Sequence, residues 1–108
     1  KMQQRPWMPI CRRNAMNKLE EARLVINDVD KQMAELFEKR FKAVKEVIAY
    51  KMEQGLPIFD SSREEALVAR NLSYIQDEEL KPFYEEAFRY IMKVSKDYQQ
   101  HIVDKSEH

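Results

Sequence analysis

The feature that most constrains the fold is a long stretch of chain without glycine or proline. From Leu19 to about Gln54, apolar residues recur at the three- and four-residue spacing of one helix face. Gly55 then tolerates the left-handed conformation of a helix end, and Pro57 prevents continuation. This stretch predicts one helix of roughly 35 residues, about 50 Å long. Its apolar positions are Leu19, Ala22, Ile26, Val29, Met33, Leu36, Phe37, Val44, Val47 and Ile48.

Two shorter helices follow, so the sequence predicts an all-α fold of three helices, one of them very long. The second helix is expected over about Ser62–Tyr74 and the third over about Glu78–Ile102. A helix as long as the first has more apolar surface than two short partners can cover, and we therefore expect a homodimer. The apolar positions are Ala66, Leu67, Ala69 and Leu72 on the second helix, and Leu80, Tyr84, Ala87, Ile91, Val94 and Tyr98 on the third.

Length and composition exclude several classes of protein. The chain has 108 residues, which is enough for one domain, and its formal net charge is zero. That balance favours neither nucleic acid nor an anionic membrane as a partner. There is no run of 18 apolar residues to span a membrane. A single cysteine excludes an internal disulfide and agrees with a reducing compartment, so we expect a cytoplasmic protein.

Residues 1–15 differ from the rest of the chain. They are basic, contain two of the four prolines and have no helical period. They also lack the apolar core of a signal peptide. We interpret 1–15 as a leader, tag or disordered arm, and 16–108 as the domain.

The start of the second helix contains a cation where local physics disfavours one. Ser62 is predicted as the N-cap and Glu65 as its capping-box partner. Arg63 then lies at the positive end of the helix dipole, which costs about 0.3–1 kcal/mol. Arg63 is either a solvated side chain paired with a neighbouring glutamate or a ligand for an anion.

Three further cations lie on or beside the apolar stripe of the long helix: Arg23, Arg40 and Lys51. One alone would extend to solvent, but three on a buried face require anionic partners. Asp30 can neutralise one of them, and the remaining cations suggest an anionic ligand. Arg40 and Lys51 are eleven residues apart. Their side chains therefore leave the helix in directions that differ by about 20° around its axis, and they are separated by about 16 Å along it. Arg23 is about 25 Å from Arg40 and points about 100° away. Arg23 therefore cannot reach the same ligand from the same chain, and if it serves a site, that site belongs to a partner subunit.

On the third helix, Ser95 and Gln99 are four residues apart and face the interior. They form either a hydrogen-bonded core pair or part of a polar site. The sequence shows no metal-ligand spacing, no nucleophile with a base and no glycine-rich phosphate loop, so we assign no metal and no cofactor.

In order along the chain, these residues resemble the all-α class of chorismate mutases. The resemblance runs from about Leu19 to Gln100 and implies an intertwined helical homodimer with two identical sites. It also implies an isomerase that converts chorismate, a small dianion, to prephenate on the route to phenylalanine and tyrosine. The matching pieces are Arg23-x-x-Ile26-x-x-x-Asp30, Leu36-x-x-x-Arg40, Lys51, Pro57-x-x-Asp60-x-x-Arg63-Glu64 and Ser95-x-x-x-Gln99.

The resemblance also implies how the substrate carboxylates are bound. Arg40, Arg63 and Arg23 of the partner subunit would hold the two carboxylates, and Ser95 would assist one of them. A [3,3] rearrangement transfers no proton and forms no covalent intermediate, so binding and fixed charge suffice.

The remaining implied contacts concern the ether oxygen and the ring hydroxyl. Lys51 and Gln99 would donate to the ether oxygen, which gains negative charge as its bond to the ring breaks. Glu64, together with the backbone near Asp60, would hold the ring hydroxyl.

Two alternatives remain open at the level of sequence. Isochorismate-pyruvate lyase uses the same scaffold and a similar cationic pocket. A non-enzymatic dimeric helical module would use the charges only to set its register.

Overall fold

The structure is a computed structural model that describes residues 10–107, with side chains from Asn17 onward. Residues 10–107 contain three helices and no strand, which confirms the predicted all-α class with one very long helix. The described residues divide into two compact units, one up to Lys39 and the other from Arg40 onward. The elements are α1 (Ile10–Gln54), α2 (Ser61–Leu72), a 3₁₀ turn (Glu78–Leu80) and α3 (Lys81–Ser106).

Helix α1 begins earlier than its apolar pattern indicates. Residues 10–15, assigned from sequence to the leader, are helical, whereas residues 1–9 of that leader lie outside the described residues. Once a helix exists, each further residue adds a backbone hydrogen bond without needing an apolar face. The predicted end is confirmed: Gly55 has φ 68°, and the Leu56 N–H donates to the Lys51 carbonyl at 2.8 Å.

In the first unit the apolar face of α1 is open to solvent. Its large apolar side chains are between 44% and 66% exposed, although a helix face of this composition normally lies in a core. These side chains are Leu19, Leu24, Val25, Ile26, Val29, Met33, Leu36 and Phe37, and we refer to them as the open stripe.

In the second unit, the C-terminal part of α1 packs with α2 and α3. Ile48 is the most deeply buried side chain, at 1% exposure. The ring of Phe41 lies 5.5 Å from that of Tyr98. The buried residues are Phe41, Ile48, Val68, Phe88, Met92, Ser95 and Gln99.

The buried faces of α2 and α3 differ in part from those predicted. On α2 the buried residue is Val68, with Leu67 and Leu72 beside it, whereas Ala66 and Ala69 are exposed. On α3 the buried face lies one position further along the chain than expected, at Phe88, Met92, Ser95 and Gln99. Phe88 and Met92 are apolar like the expected Ala87 and Ile91, whereas Ser95 and Gln99 are polar, so the apolar period favoured the neighbouring stripe.

Candidate active site

One pocket in the second unit gathers most of the residues selected from sequence. Its cavity volume is about 170 Å³, and it is open to solvent. Helix α1, the loop after it, α2 and α3 all contribute to its wall. Seven of the eight predicted site residues line it: Arg40, Lys51, Asp60, Arg63, Glu64, Ser95 and Gln99.

The two cations of α1 lie on the same wall, as their eleven-residue spacing predicts. Arg40 is half-buried, with its guanidinium carbon 5.7 Å from the centroid of the Phe88 ring. The Nη1 atom of Arg40 is buried without a hydrogen-bond partner among the described residues. Lys51 donates through Nζ to the Ile58 carbonyl at 2.9 Å, which fixes its ammonium group against the loop. A buried guanidinium donor without an acceptor is costly, and an anion in the pocket would satisfy it.

The N-cap of α2 is Asp60, so the prediction of Ser62 as N-cap was wrong. Asp60 Oδ1 accepts from the Arg63 N–H at 3.1 Å, and the Ser62 hydroxyl donates to the same oxygen at 3.0 Å. A carboxylate interacts more favourably than a hydroxyl with the positive end of a helix. The bond from the Arg63 N–H, followed by that from Ser62, lowers the pKa of Asp60 below 3.8.

The glutamates next to Arg63 are paired with residues of α3. Glu64 Oε2 lies 2.9 Å from Lys96 Nζ. Glu65, predicted as a capping-box partner, instead binds Arg89 through both of its carboxylate oxygens, at 2.9 and 3.1 Å. This pairing lowers the pKa of Glu65. Glu64 and Glu65 therefore pair with cations of α3, not with Arg63. The exposed Arg63 side chain lines the pocket.

On α3, Ser95 and Gln99 are at once a buried pair and part of the pocket wall. They are 7% and 6% exposed, which confirms that they face the interior. Gln99 Nε2 donates to the Ser95 carbonyl and hydroxyl oxygens, at 3.3 and 3.4 Å. Gln99 Oε1 is buried without a partner among the described residues. These long bonds and the unpaired oxygen leave the amide group free to bind a ligand.

Arg23 is not among the residues that line this pocket. It belongs to the first unit, and its side chain is 63% exposed. Its guanidinium lies 3.9 Å from the Glu20 carboxylate, one helical turn away. An exposed pair of this kind contributes little stability.

Sequence reasoning missed Lys96 and the apolar part of the wall. Lys96 follows Ser95 directly, and its Nζ lies 4.5 Å from the centroid of the Phe59 ring as well as beside Glu64. A lysine one position after a buried residue is usually solvated, so its spacing gave no signal. The apolar lining residues are Val44, Val47, Ile58, Leu67 and Met92.

The pocket combines a positive charge with an apolar wall. Four cations line it against two carboxylates, one of which caps α2. Such a cavity can hold a small dianion with an apolar body. Among the residues with described side chains, no group of three or more His, Cys, Asp and Glu side chains could hold a metal ion. None of the described helices has the length and hydropathy needed to cross a membrane.

Comparison with known proteins identifies the family. The model of the family "Chorismate mutase type II" matches residues 22–100, which include every predicted site residue. No curated protein and no solved structure matches the chain significantly. The matched range begins near the start of the open stripe and ends one residue after Gln99, so it includes parts of both units. The chain belongs to the chorismate mutase type II family.

Proposed function

We propose that this protein is a chorismate mutase that converts chorismate to prephenate in the biosynthesis of phenylalanine and tyrosine. In this [3,3] rearrangement the ether C–O bond of chorismate breaks while a C–C bond forms between the enolpyruvyl side chain and the ring. No cofactor takes part. The family membership and the cationic pocket support the proposal.

The observation that carries the proposal is the unpaired Arg40 Nη1 in a pocket with three other cations. Arg40 and Arg63 would bind the carboxylates of chorismate, with Ser95 assisting one of them. Both guanidinium groups can bind a carboxylate through two parallel hydrogen bonds. These contacts would hold chorismate in the compact conformer in which the two ends of the reacting system meet.

Lys51 and Gln99 would stabilise charge that appears only during the reaction. Negative charge develops on the ether oxygen as its bond to the ring breaks, and a fixed ammonium group or amide N–H beside it lowers the barrier. A half-turn of the Gln99 amide exchanges Oε1 and Nε2. Nε2 would then take the place of the unpaired Oε1 and would donate to the ether oxygen, while the Ser95 hydroxyl would donate to Oε1.

Glu64 and the backbone near Asp60 would accept and position the ring hydroxyl. The site would be completed by Arg23 of the partner subunit in an intertwined homodimer. The open stripe supports this assembly, because a second chain would bury apolar side chains that the single chain leaves exposed. We place the reaction in the cytoplasm, in keeping with the single cysteine of the chain.

The test is to add chorismate to the purified protein and to follow the loss of its ultraviolet absorbance. We expect prephenate to form without pyruvate, and Arg40→Ala to remove nearly all of this activity. Lys42→Ala is the matched control, because Lys42 is an exposed cation on the opposite face of α1. Release of pyruvate from isochorismate would instead identify a lyase. If the protein converts neither chorismate nor isochorismate, the result would support the alternative of a non-enzymatic helical module.

A further inference from the structure

Lys96 is the pocket cation to which neither the predicted site nor the proposed mechanism gives a task. Its Nζ bridges two elements: the carboxylate of Glu64 in the first turn of α2, at 2.9 Å, and the ring of Phe59 in the preceding loop, at 4.5 Å. The Glu64 side chain is only 20% exposed. A cation held over a ring and against a shielded carboxylate has a defined position, unlike a freely solvated lysine.

The role of Lys96 follows from its ion pair with Glu64. Glu64 shares the pocket with Arg40, Lys51 and Arg63. Without a dedicated counter-ion, its carboxylate would turn toward one of these cations and compete with an anionic ligand for it. The contact with Lys96 engages Oε2. An ionised carboxylate has about four acceptor sites, so Glu64 can still accept a hydroxyl group.

We propose that Lys96 is a positioning residue that directs Glu64 to the hydroxyl of the substrate ring and keeps it away from the carboxylate-binding arginines. Lys96 thereby determines specificity for a hydroxylated dianion. This inference rests on the proposed function. It differs from a direct role in binding because Lys96 acts only through Glu64.

The first test compares the kinetics of Lys96→Met with those of the parent. Methionine keeps an unbranched apolar side chain but removes the ammonium group. Since the interaction acts in the ground state as well as the transition state, KM for chorismate should rise by about tenfold with kcat little changed. Lys96→Arg should restore most of the affinity, because arginine also pairs with a carboxylate and stacks on a ring. A fall in kcat with unchanged KM, or no change in either, would overturn the proposal.

The matched control is Lys93→Met. Lys93 lies on α3 one turn before Lys96, pairs with Asp97 at 2.9 Å and does not line the pocket. It undergoes the same change of charge and side chain, so it measures the effect of a lost surface cation alone. We expect its KM to stay within about twofold of the parent, as for an exposed ion pair.

A double-mutant cycle with Glu64→Gln separates positioning from direct binding. If Lys96 acts through Glu64, the double variant should bind no worse than Glu64→Gln alone. Additive losses would show that Lys96 contacts the substrate itself, and the inference would fail. This comparison does not depend on the absolute stability of any one variant, because folded fractions can be matched by circular dichroism.

A binding measurement distinguishes failure of this inference from failure of the proposed function. The probes are two cyclic dicarboxylates that differ only in the ring hydroxyl, titrated by calorimetry. The parent should prefer the hydroxylated compound, and Lys96→Met should lose most of that preference. If the parent has no mutase activity, the proposed function fails whatever the probes show. If the parent is active and both proteins show the same preference, only the role of Lys96 fails.

Discussion

At the scale of single residues, Lys51 has an ammonium group that is fixed before any ligand arrives. It donates to the Ile58 carbonyl at 2.9 Å and lies in the last turn of α1, where the helix dipole favours a cation. A donor held in place by its own chain requires little reorganisation when charge develops beside it.

We expect Lys51→Ala to lower kcat far more than it raises KM. The charge that Lys51 would stabilise is present only in the transition state, so a loss on the order of 10²-fold in kcat is expected. Steady-state kinetics with chorismate measures both constants. Lys51→Arg keeps the charge and should recover part of the rate. If KM rises while kcat is retained, Lys51 is a binding residue and the assignment to the ether oxygen is wrong.

Gln99 provides a second test at the ether oxygen, through pH. In Gln99→Glu an ionised carboxylate would repel the developing negative charge, whereas a protonated acid could still donate. Activity of this variant should therefore be highest at low pH and fall as pH rises, while the parent changes less. Rates measured from pH 5 to 8 decide this. If the two profiles are parallel, Gln99 does not contact the ether oxygen.

Seven of the eight residues expected at the site line the pocket. Helical spacing singled out Arg40, Lys51, Ser95 and Gln99, and the charge at a helix start singled out Arg63. Asp60 and Glu64 were implied only by the resemblance to chorismate mutases. Spacing could not predict Lys96, whose role depends on a loop aromatic and an α2 carboxylate that only tertiary packing brings together. Nor could it show that Arg40 Nη1 and Gln99 Oε1 are unpaired, since that is a property of the folded environment.

At the scale of elements, the start of α2 connects helix stability to the site. The Asp60 cap orients the first turn, which carries Arg63 and Glu64 to the pocket. Two ion pairs then attach this turn to α3, Glu64 with Lys96 and Glu65 with Arg89. A change in the cap should therefore affect both melting temperature and activity.

We expect Asp60→Ala to lower the melting temperature at pH 7 by about 4–8 °C, the effect of a lost N-cap in a small domain. Because the pKa of Asp60 is lowered on folding, its contribution is complete above the ordinary value of 3.8 and is lost as pH falls through the folded value. The difference between parent and variant should thus shrink near pH 3, as followed by circular dichroism. An equal difference at both pH values would mean that the carboxylate charge contributes nothing.

Asp77→Ala is the control for activity. Asp77 caps the 3₁₀ turn by accepting from the Glu79 N–H at 3.0 Å, and it does not line the pocket. We expect it to lower stability without changing KM, whereas Asp60→Ala should raise KM. If both variants change KM alike, the effect arises from general destabilisation.

The sequence predicted the end of α1 better than its start. Gly55 and Pro57 end α1 through their own backbone geometry. Because this effect is local, it can be recognised from the sequence. The helical residues 10–15 carry no apolar period that could have predicted them. At the start of α2 the predicted cap was Ser62 and the observed cap is Asp60, because the position of the cap depends on how the loop enters the helix.

At the scale of the whole molecule, the proposed dimer can be tested by mixing two inactive variants. Arg23→Ala and Arg40→Ala chains should each be nearly inactive alone. In a mixed dimer, one of the two sites would have both arginines and the other neither. Co-refolding equal amounts should therefore restore about a quarter of the parent activity, because half of the dimers are mixed in a symmetric assembly.

The control for mixing is the pair Arg40→Ala and Lys51→Ala. Both residues line the pocket of one chain, so every site in a mixed dimer would lack one of them. We expect no recovery from this pair. If the Arg23 and Arg40 variants also fail to recover, Arg23 does not serve the site of the partner subunit.

The open stripe also has a consequence for the chain while it is being made. The stripe ends at Phe37, whereas the last pocket residue, Gln99, follows more than half the chain later. At about 5–20 residues per second, a ribosome adds this segment in roughly 3–12 s. During that interval the newly made helix exposes this apolar surface before a second complete chain is available to cover it. Slower translation would lengthen this exposure, and with it the time in which the stripe can associate with other apolar surfaces.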